Sequence, residues 1–286
     1  MPLSIFWSLA RASNLPTVWS NMLAGWIISG GAWHPGLLTG LLGGSLVYAG
    51  GCTLNDAFDA SWDRRHRPER PIPSGAISER AVWLAGGGEL LIGAILMLLA
   101  GGGWIPVSAL LAAILVYDKW HKATAWSVIP MGLCRVFLGW SAVSMTGGGW
   151  PPSPLAWLWM AGILAYIIGL TLVARREATG GALSVGGLSL MVVPLAGAGV
   201  ANRVLGADFR DFLFVAFLFG LGAWQVALIL RNSGNPGRIG QAVSRMLAGI
   251  VVIDGAWVAQ WRWEWAAGWV GLFAACLLWQ RRVAAT

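Results

Sequence analysis

Apolar runs close to the roughly 17–25 residues that an α-helix needs to cross hydrocarbon recur along the chain. They lie at 15–32, 36–54, 80–101, 104–118, 126–146, 153–174, 183–202, 209–230, 240–260 and 265–280. Stretches such as LLIGAILMLLA and LFVAFLFGLGAW are apolar on every side, without the polar/apolar alternation over about ten residues that marks transmembrane strands. The pattern predicts an all-α protein: a polytopic membrane helical bundle of nine or ten transmembrane helices, forming one domain over residues 1–286. Glycine-rich segments such as GLLTGLLGG and LAGAG would weaken soluble helices, but between membrane helices small residues permit close approach.

Composition agrees and adds an orientation. Only 11% of residues are charged and 57% are hydrophobic, against a charged fraction of about 25% in soluble domains. The twenty Trp residues gather at segment ends, as at Trp104, Trp150, Trp157 and Trp159, where aromatic belts meet lipid headgroups. The net charge of +7 is distributed as a topology signal, which makes membrane lipids the expected partner and excludes a nucleic-acid reading. Arg11, Arg64, Arg65, Arg67, Arg70, Arg80, Lys119, Lys122, Arg175, Arg176, Arg231, Arg238, Arg245, Arg281 and Arg282 fall beside alternate helix ends, while only Arg203, Arg210 and Arg262 fall on the other face. The positive-inside rule makes the crowded face and both termini cytoplasmic, the arrangement of a bacterial inner-membrane protein. Cys52, Cys134 and Cys276 are embedded in apolar segments and read as packing residues with no disulfide framework. The first apolar segment is longer than a signal-peptide core and is expected to be retained.

One polar connection breaks the apolar pattern, NDAFDASWDRRHRPERPIPSG at 55–75. Asn55, Asp59 and Asp63 are four apart, so a helix continuing past Leu54 presents them on one face with Asp56 on an adjacent stripe. Carboxylates this close repel one another, and a hard divalent cation is the simplest compensation; Mg²⁺ commonly takes one or two carboxylates together with substrate phosphates and water. Pro68, Pro71 and Pro73 then stop the helix and stiffen the segment carrying Arg67 and Arg70, whose forked donors suit phosphate oxygens. Carboxylates and arginines together predict a metal–phosphate site. Two neighbouring loops are basic as well: YDKWHK supplies Lys119, His121 and Lys122, and LVARREATGG supplies Arg175 and Arg176.

These residues resemble the first signature of the UbiA family of membrane prenyltransferases, NDxxDxxxD followed by RPxRPIPSG. Here it reads Asn55, Asp56, Asp59, Asp63, then Arg67, Pro68, Arg70, Pro71, Ile72, Pro73, Ser74 and Gly75. YDKWHK stands where the family has a Tyr followed by a basic pair, so Lys122 is the stronger carry-over and Lys119 the weaker. The resemblance implies a helical bundle with a polar cytoplasmic cap over a lipid-facing chamber for an isoprenoid tail. It further implies Mg²⁺-dependent ionisation of a prenyl diphosphate donor and transfer of the allylic group to a lipophilic acceptor, often aromatic. Asn55, Asp56, Asp59 and Asp63 would hold Mg²⁺, the three aspartates would be catalytic, and Arg67, Arg70, Lys119 and Lys122 would bind diphosphate. Phe58, Tyr117 and Tyr166 become candidate chamber walls by cation–π contact.

One departure is visible. Where the family carries a second aspartate-rich motif this chain reads YIIGLTLVARREATGGA, with Ile167, Ala174 and Arg176 at the expected acidic positions and Glu177 as the carboxylate nearby. The expectation is that Arg175 and Arg176 bind diphosphate in place of a second metal; the alternatives are a prenyl-lipid binding or export component without catalysis, and a terpene cyclase on the same fold. ARREATGG and the opening RASNLPTVWSNMLAG resemble a divergent EboC-like branch of the family. Within the apolar segments, Arg135 reads as a further site residue because ionisable groups at membrane depth are functional by default. Asn14 and Asn21, two turns apart, are expected to face the chamber, whereas Glu89 and Asp254 read as interhelical hydrogen-bonding groups. No Walker, GxGxxG or GxSxG pattern stands in a strand-to-helix context, which leaves dinucleotide, ATP and hydrolase readings without support.

Overall fold

The computed structural model describes residues 3–147, 152–178, 185–206, 236–260 and 265–283, with isolated positions between 213 and 227. Among the described residues all regular structure is helical: α1 (Leu3–Leu9), α2 (Leu15–Ile28), α3 (Gly36–Phe58), α4 (Ala60–His66), α5 (Glu79–Leu99), α6 (Trp104–Trp120), α7 (Val128–Ser144), α8 (Pro154–Ala178), α9 (Val185–Leu205), α10 (Pro236–Ala259) and α11 (Ala266–Trp279). Each expected apolar segment coincides with one of these helices, except 209–230, most of which lies outside the described residues. Among the described residues six helices, α3, α5, α7, α8, α9 and α10, are long and apolar enough to cross a bilayer. α2 and α11 are shorter than the sequence pattern suggests, whereas α6 covers the whole of its expected segment. The 17 residues of α6 rise about 25 Å and the 14 of α2 and of α11 about 21 Å, against a hydrocarbon core of about 30 Å.

Glycine sets the tightest helix pairing. A Cβ on Gly93 of α5 would lie 2.7 Å from the Gly43 carbonyl oxygen of α3, and one on Gly50 would lie 2.8 Å from the Gly86 carbonyl oxygen. The two backbones therefore touch at two levels, as small residues allow in lipid, where packing rather than water exclusion drives association. The opposite side of α5 exposes Leu84, Leu91, Ile92, Ile95 and Leu99, the surface expected of a helix facing acyl chains.

Two apolar clusters build the interior. One joins α7, α8 and α10 around Trp159, Tyr166, Ile163, Met246 and Trp257, and the other joins α2, α3, α5 and α6 around Met22, Val47, Met97 and Leu110. Asp254 is fully buried yet satisfied: it accepts from Ser20 Oγ at 2.7 Å and from Trp159 Nε1 at 3.1 Å, and Trp269 Nε1 donates to Ser20 Oγ at 3.1 Å. That network ties α2, α8, α10 and α11 without leaving a lone charge in hydrocarbon. A third, small cluster of Leu9, Ala57, Ala60, Ile72 and Val82 fastens α1 and the proline-rich loop onto α3, α4 and α5, and so fixes the polar end of the bundle.

Candidate active site

The helix carrying the aspartates does continue beyond Leu54. α3 ends at Phe58 and α4 begins at Ala60, but backbone hydrogen bonds Asp59 N–Asn55 O at 3.0 Å and Asp63 N–Asp59 O at 2.8 Å carry the i→i−4 pattern across the junction. Asn55, Asp56, Asp59 and Asp63 are therefore held on successive turns, all buried. Pro68 then ends the helix. The loop folds back through Arg70 N–Arg67 O and Ser74 N–Arg70 O bonds of 3.1 and 3.0 Å, anchored by buried Ile72, and this places Arg70 over the aspartates.

The result is a dense lattice of opposite charge. Arg70 Nη1 lies 2.7 Å from Asp56 Oδ1 and 3.7 Å from Asp63 Oδ2. Lys122 Nζ, just beyond α6, lies 2.9 Å from Asp59 Oδ2 and 3.7 Å from Asp63 Oδ1, and His121 Nε2 lies 3.3 Å from Asp59 Oδ2. Burial by itself would raise the Asp59 carboxyl, but hydrogen bonding and charge from His121 and Lys122 hold it below the usual carboxylate value. Trp62 of α4 lies under both flanking cations, 3.8 Å from Lys122 Nζ and 5.8 Å from Arg67 Cζ, a cation–π arrangement that steadies them at the rim.

Below this cap opens a cavity of about 430 Å³. Asn55, Asp59, Arg67, Arg70 and Lys122 line its polar end. Much of its remaining wall is apolar, drawn from both core clusters by Val47, Ile114, Leu138, Leu170, Val243 and Leu247. A polar mouth continuous with an oily chamber suits an amphiphile with an anionic head.

The expected site residues separate into two groups. Asn14, Tyr117 and Arg135 line the cavity alongside the residues just named. Asn14 Nδ2 donates to the Tyr48 hydroxyl at 3.2 Å, and Arg135 donates to Thr17 O and Oγ1 at 3.0 and 2.8 Å while sitting 5.8 Å from the Tyr48 ring. Asp56 and Asp63 stand behind the wall, gripped by Arg70. The other residues are not brought to the cavity. Lys119 is exposed with its ammonium 5.0 Å from the Trp120 ring, Asn21 is buried within the bundle, and the Tyr166 hydroxyl donates to Met246 O at 2.7 Å. Phe58 packs edge-on against Trp83, with ring centroids 4.7 Å apart. Arg175 donates to His121 O at 2.7 Å, to Thr124 O and Ala125 O at 3.3 Å, and to Ser127 Oγ, so its guanidinium braces the loop that follows α6. The Arg176 side chain lies outside the described residues.

Three cavity residues carried no site signal in the sequence beyond their type. Arg11 adopts a left-handed backbone (φ 43°) and reaches from the turn before α2 to Asn55 Oδ1 at 3.0 Å and Asp56 Oδ1 at 3.3 Å. Asp118 of α6 accepts from Asn55 Nδ2 at 3.1 Å. Trp62, one position before Asp63, reads in the sequence as one tryptophan among twenty. For Arg11 and Asp118 the available hints were a basic residue heading the first apolar segment and an acid inside an otherwise basic YDKWHK.

The donors here are amide and carboxylate oxygens, the chemistry of a hard cation. Asp56, Asp59 and Asp63 are each held by basic side chains, and among the described residues no three His, Cys, Asp or Glu side chains converge on one point. One oxygen, Asp118 Oδ2, is buried without any hydrogen-bond partner. The set fits Mg²⁺ by ligand type and by this orphaned acceptor.

The sequence profile of the UbiA prenyltransferase family matches residues 14–182. The chain belongs to this family. It resembles a digeranylgeranylglyceryl phosphate synthase from Methanopyrus kandleri, 27% identical over 257 residues that span 88% of this chain and 89% of the relative. The fold matches an apo UbiA homologue from Aeropyrum pernix K1 with a TM-score of 0.65 at 15% identity, over 85% of this chain and 96% of that one. A UbiA homologue from Archaeoglobus fulgidus bound to GPP and Mg²⁺ matches with a TM-score of 0.54 at 16% identity, over 99% and 100%. This UbiA-family chain is thus an integral membrane protein with a prenyltransferase fold, and its enzymatic class is transfer of alkyl groups other than methyl.

Proposed function

We propose that the protein transfers an isoprenyl group from a prenyl diphosphate to a lipophilic acceptor, in a Mg²⁺-dependent reaction whose head-group site opens on the cytoplasmic side of a bacterial inner membrane. One domain spanning residues 1–286 carries the activity. The observation behind the reading is the continuity of a buried Asp/Arg/Lys mouth with an apolar chamber of about 430 Å³. The name of the Methanopyrus relative and the GPP and Mg²⁺ held by the Archaeoglobus homologue support it.

Arg67, Arg70, Arg11 and Lys122 meet the diphosphate, and Arg175 keeps the loop bearing His121 and Lys122 in place. As the allylic C1–O bond breaks, its electron pair leaves with the diphosphate, and these cations offset the growing negative charge. Asn55, Asp56, Asp59 and Asp63 would hold Mg²⁺, which supplies Lewis-acid stabilisation of the leaving group. Basic side chains that neutralise the aspartates in the free protein are then shared with phosphate oxygens. Tyr48 and Tyr117 give the upper chamber aromatic surface for an allylic cation, and the apolar walls below exclude water that would otherwise capture it. The acceptor's nucleophilic atom bonds to C1 and its proton departs.

Purified protein incubated with Mg²⁺, labelled geranyl diphosphate and a lipid extract as acceptor source should release pyrophosphate and form a labelled lipid. Asp59→Asn should fold yet lose release by at least about 100-fold. Binding without release would establish a carrier, release without an acceptor would establish a cyclase or hydrolase, and full turnover by the variant would remove Asp59 from the mechanism.

A further inference from the structure

We infer that Asp118 is an additional anionic oxygen ligand for the divalent cation that accompanies the diphosphate; the inference rests on the prenyl-diphosphate reading above. Asp118 is 4% exposed and lines the cavity from α6. Its Oδ1 accepts from Asn55 Nδ2 at 3.1 Å, whereas its Oδ2 is buried with no hydrogen-bond partner. Of the four carboxylates at the cap, Asp56, Asp59 and Asp63 each have a basic side chain within ion-pair distance. Asp118 has none among the described residues.

A buried carboxylate is tolerated when paired or when coordinating a metal, and native structures rarely leave such an oxygen unsatisfied without a reason. Asp118 is therefore the cap carboxylate that receives a cation without first surrendering a basic partner. It and Asp59 are the two acidic residues in the cavity wall among the described residues, one from the α3–α4 junction and the other from α6. Mg²⁺ completes its coordination with phosphate oxygens and water besides carboxylates, and Asp118 adds an anionic oxygen from α6 to those of the aspartate-bearing helix. The hydrogen bond from Asn55 holds Asp118 in register with the aspartate-bearing helix.

The test uses Mn²⁺ as the cation probe, followed by electron paramagnetic resonance, and geranyl thiolodiphosphate as an unreactive head-group probe, followed by calorimetry. Wild-type protein is expected to bind both. Asp118→Asn should weaken Mn²⁺ binding about tenfold or more, the loss that even outer-shell partners of a metal cause. Its metal-free affinity for the analogue should not fall, because a negative charge facing the diphosphate has gone. Asp118→Glu should retain Mn²⁺ binding, and metal-free Asp118→Asn should melt no lower than wild type, because an uncompensated carboxylate has gone. An asparagine variant that binds Mn²⁺ as wild type does overturns the assignment, and a lowered melting temperature with unchanged Mn²⁺ affinity assigns Asp118 a structural role instead. Should that variant fail to fold, Asp118→Ser answers the same question. Wild-type protein that binds neither probe overturns the prenyl-diphosphate reading itself, whereas binding of both by wild type and variant alike overturns only the role of Asp118.

Discussion

Replacing Arg70 with Ala removes a cation 2.7 Å from Asp56 and 3.7 Å from Asp63, two carboxylates with only 8% and 2% exposure. At an effective dielectric of about 20, the gross attraction is about 6 kcal/mol at the shorter distance and about 4.5 kcal/mol at the longer. The net loss is smaller. Arg11 remains 3.3 Å from Asp56 and Lys122 remains 3.7 Å from Asp63, and a guanidinium no longer has to be desolvated. Removing one partner from a buried pair costs about 3–5 kcal/mol, so with two residual cations the lower end, about 3 kcal/mol, is expected. Ile72 should keep the loop seated, so the loss reports charge rather than detachment. Reversible unfolding in mixed micelles would compare Arg70→Ala, Arg70→Lys and Asp56→Asn with Arg70→Ala. Lysine should retain part of the stability without the forked geometry, and the double variant should recover at least about 1 kcal/mol relative to additivity. An alanine variant within about 0.5 kcal/mol of wild type, or a strictly additive double variant, would refute the view that the cap is held by buried ion pairs.

Three further outcomes follow from the same geometry. Gly93→Leu drives a side chain into the α3 backbone, where even an added Cβ would stand 2.7 Å from Gly43 O; it should lose about 3 kcal/mol, while Gly87→Leu, where an added Cβ would meet nothing within 4 Å, should be tolerated, and equal stability of the two would contradict the backbone contact. Arg11→Ala should weaken geranyl thiolodiphosphate binding about tenfold, a change of about 1.4 kcal/mol, because it removes a cavity-lining cation joined to Asn55 and Asp56; calorimetry showing unchanged affinity would exclude it from the head-group site. The folded-state value of Asp59 is depressed by His121 and Lys122 against the opposing effect of burial, so its stabilisation is present above the unfolded value of about 3.9 and fades as pH falls through the lower folded value. The stability gap between wild type and Asp59→Asn should therefore narrow below about pH 4, and a gap undiminished at pH 2 would contradict that sign.

What could be read from the chain, and what could not, follows the range of the interactions involved. The aspartate face was legible because its logic is local: residues four apart on one helix, a proline stop, and an arginine returned by a short stiff loop. The helices were legible from apolar runs, but their lengths were not. Hydropathy counts residues that lipid or core will accept, whereas α2 ends at Ile28, just before Gly30, with φ of 76°, redirects the backbone.

Closure of the site depends instead on partners far apart in sequence, 44 positions from Arg11 to Asn55 and 63 from Asn55 to Asp118. A basic residue before an apolar segment satisfies the topology rule equally well whether it faces headgroups or a cavity, so charge counting cannot separate Arg11 from Lys119. The structure separates them by burial: Arg11 is drawn in by Asn55 and Asp56, while Lys119 remains at the rim beside Trp120. The same reasoning explains Arg175, which sequence proximity to the expected second motif assigns to diphosphate and which the fold directs to the carbonyls of His121, Thr124 and Ala125. A guanidinium satisfied by three backbone carbonyls fixes the loop that carries Lys122. The basic residues of the cap thus divide into those that meet charge across the cavity and those that hold the loops bearing them, a division set by tertiary geometry.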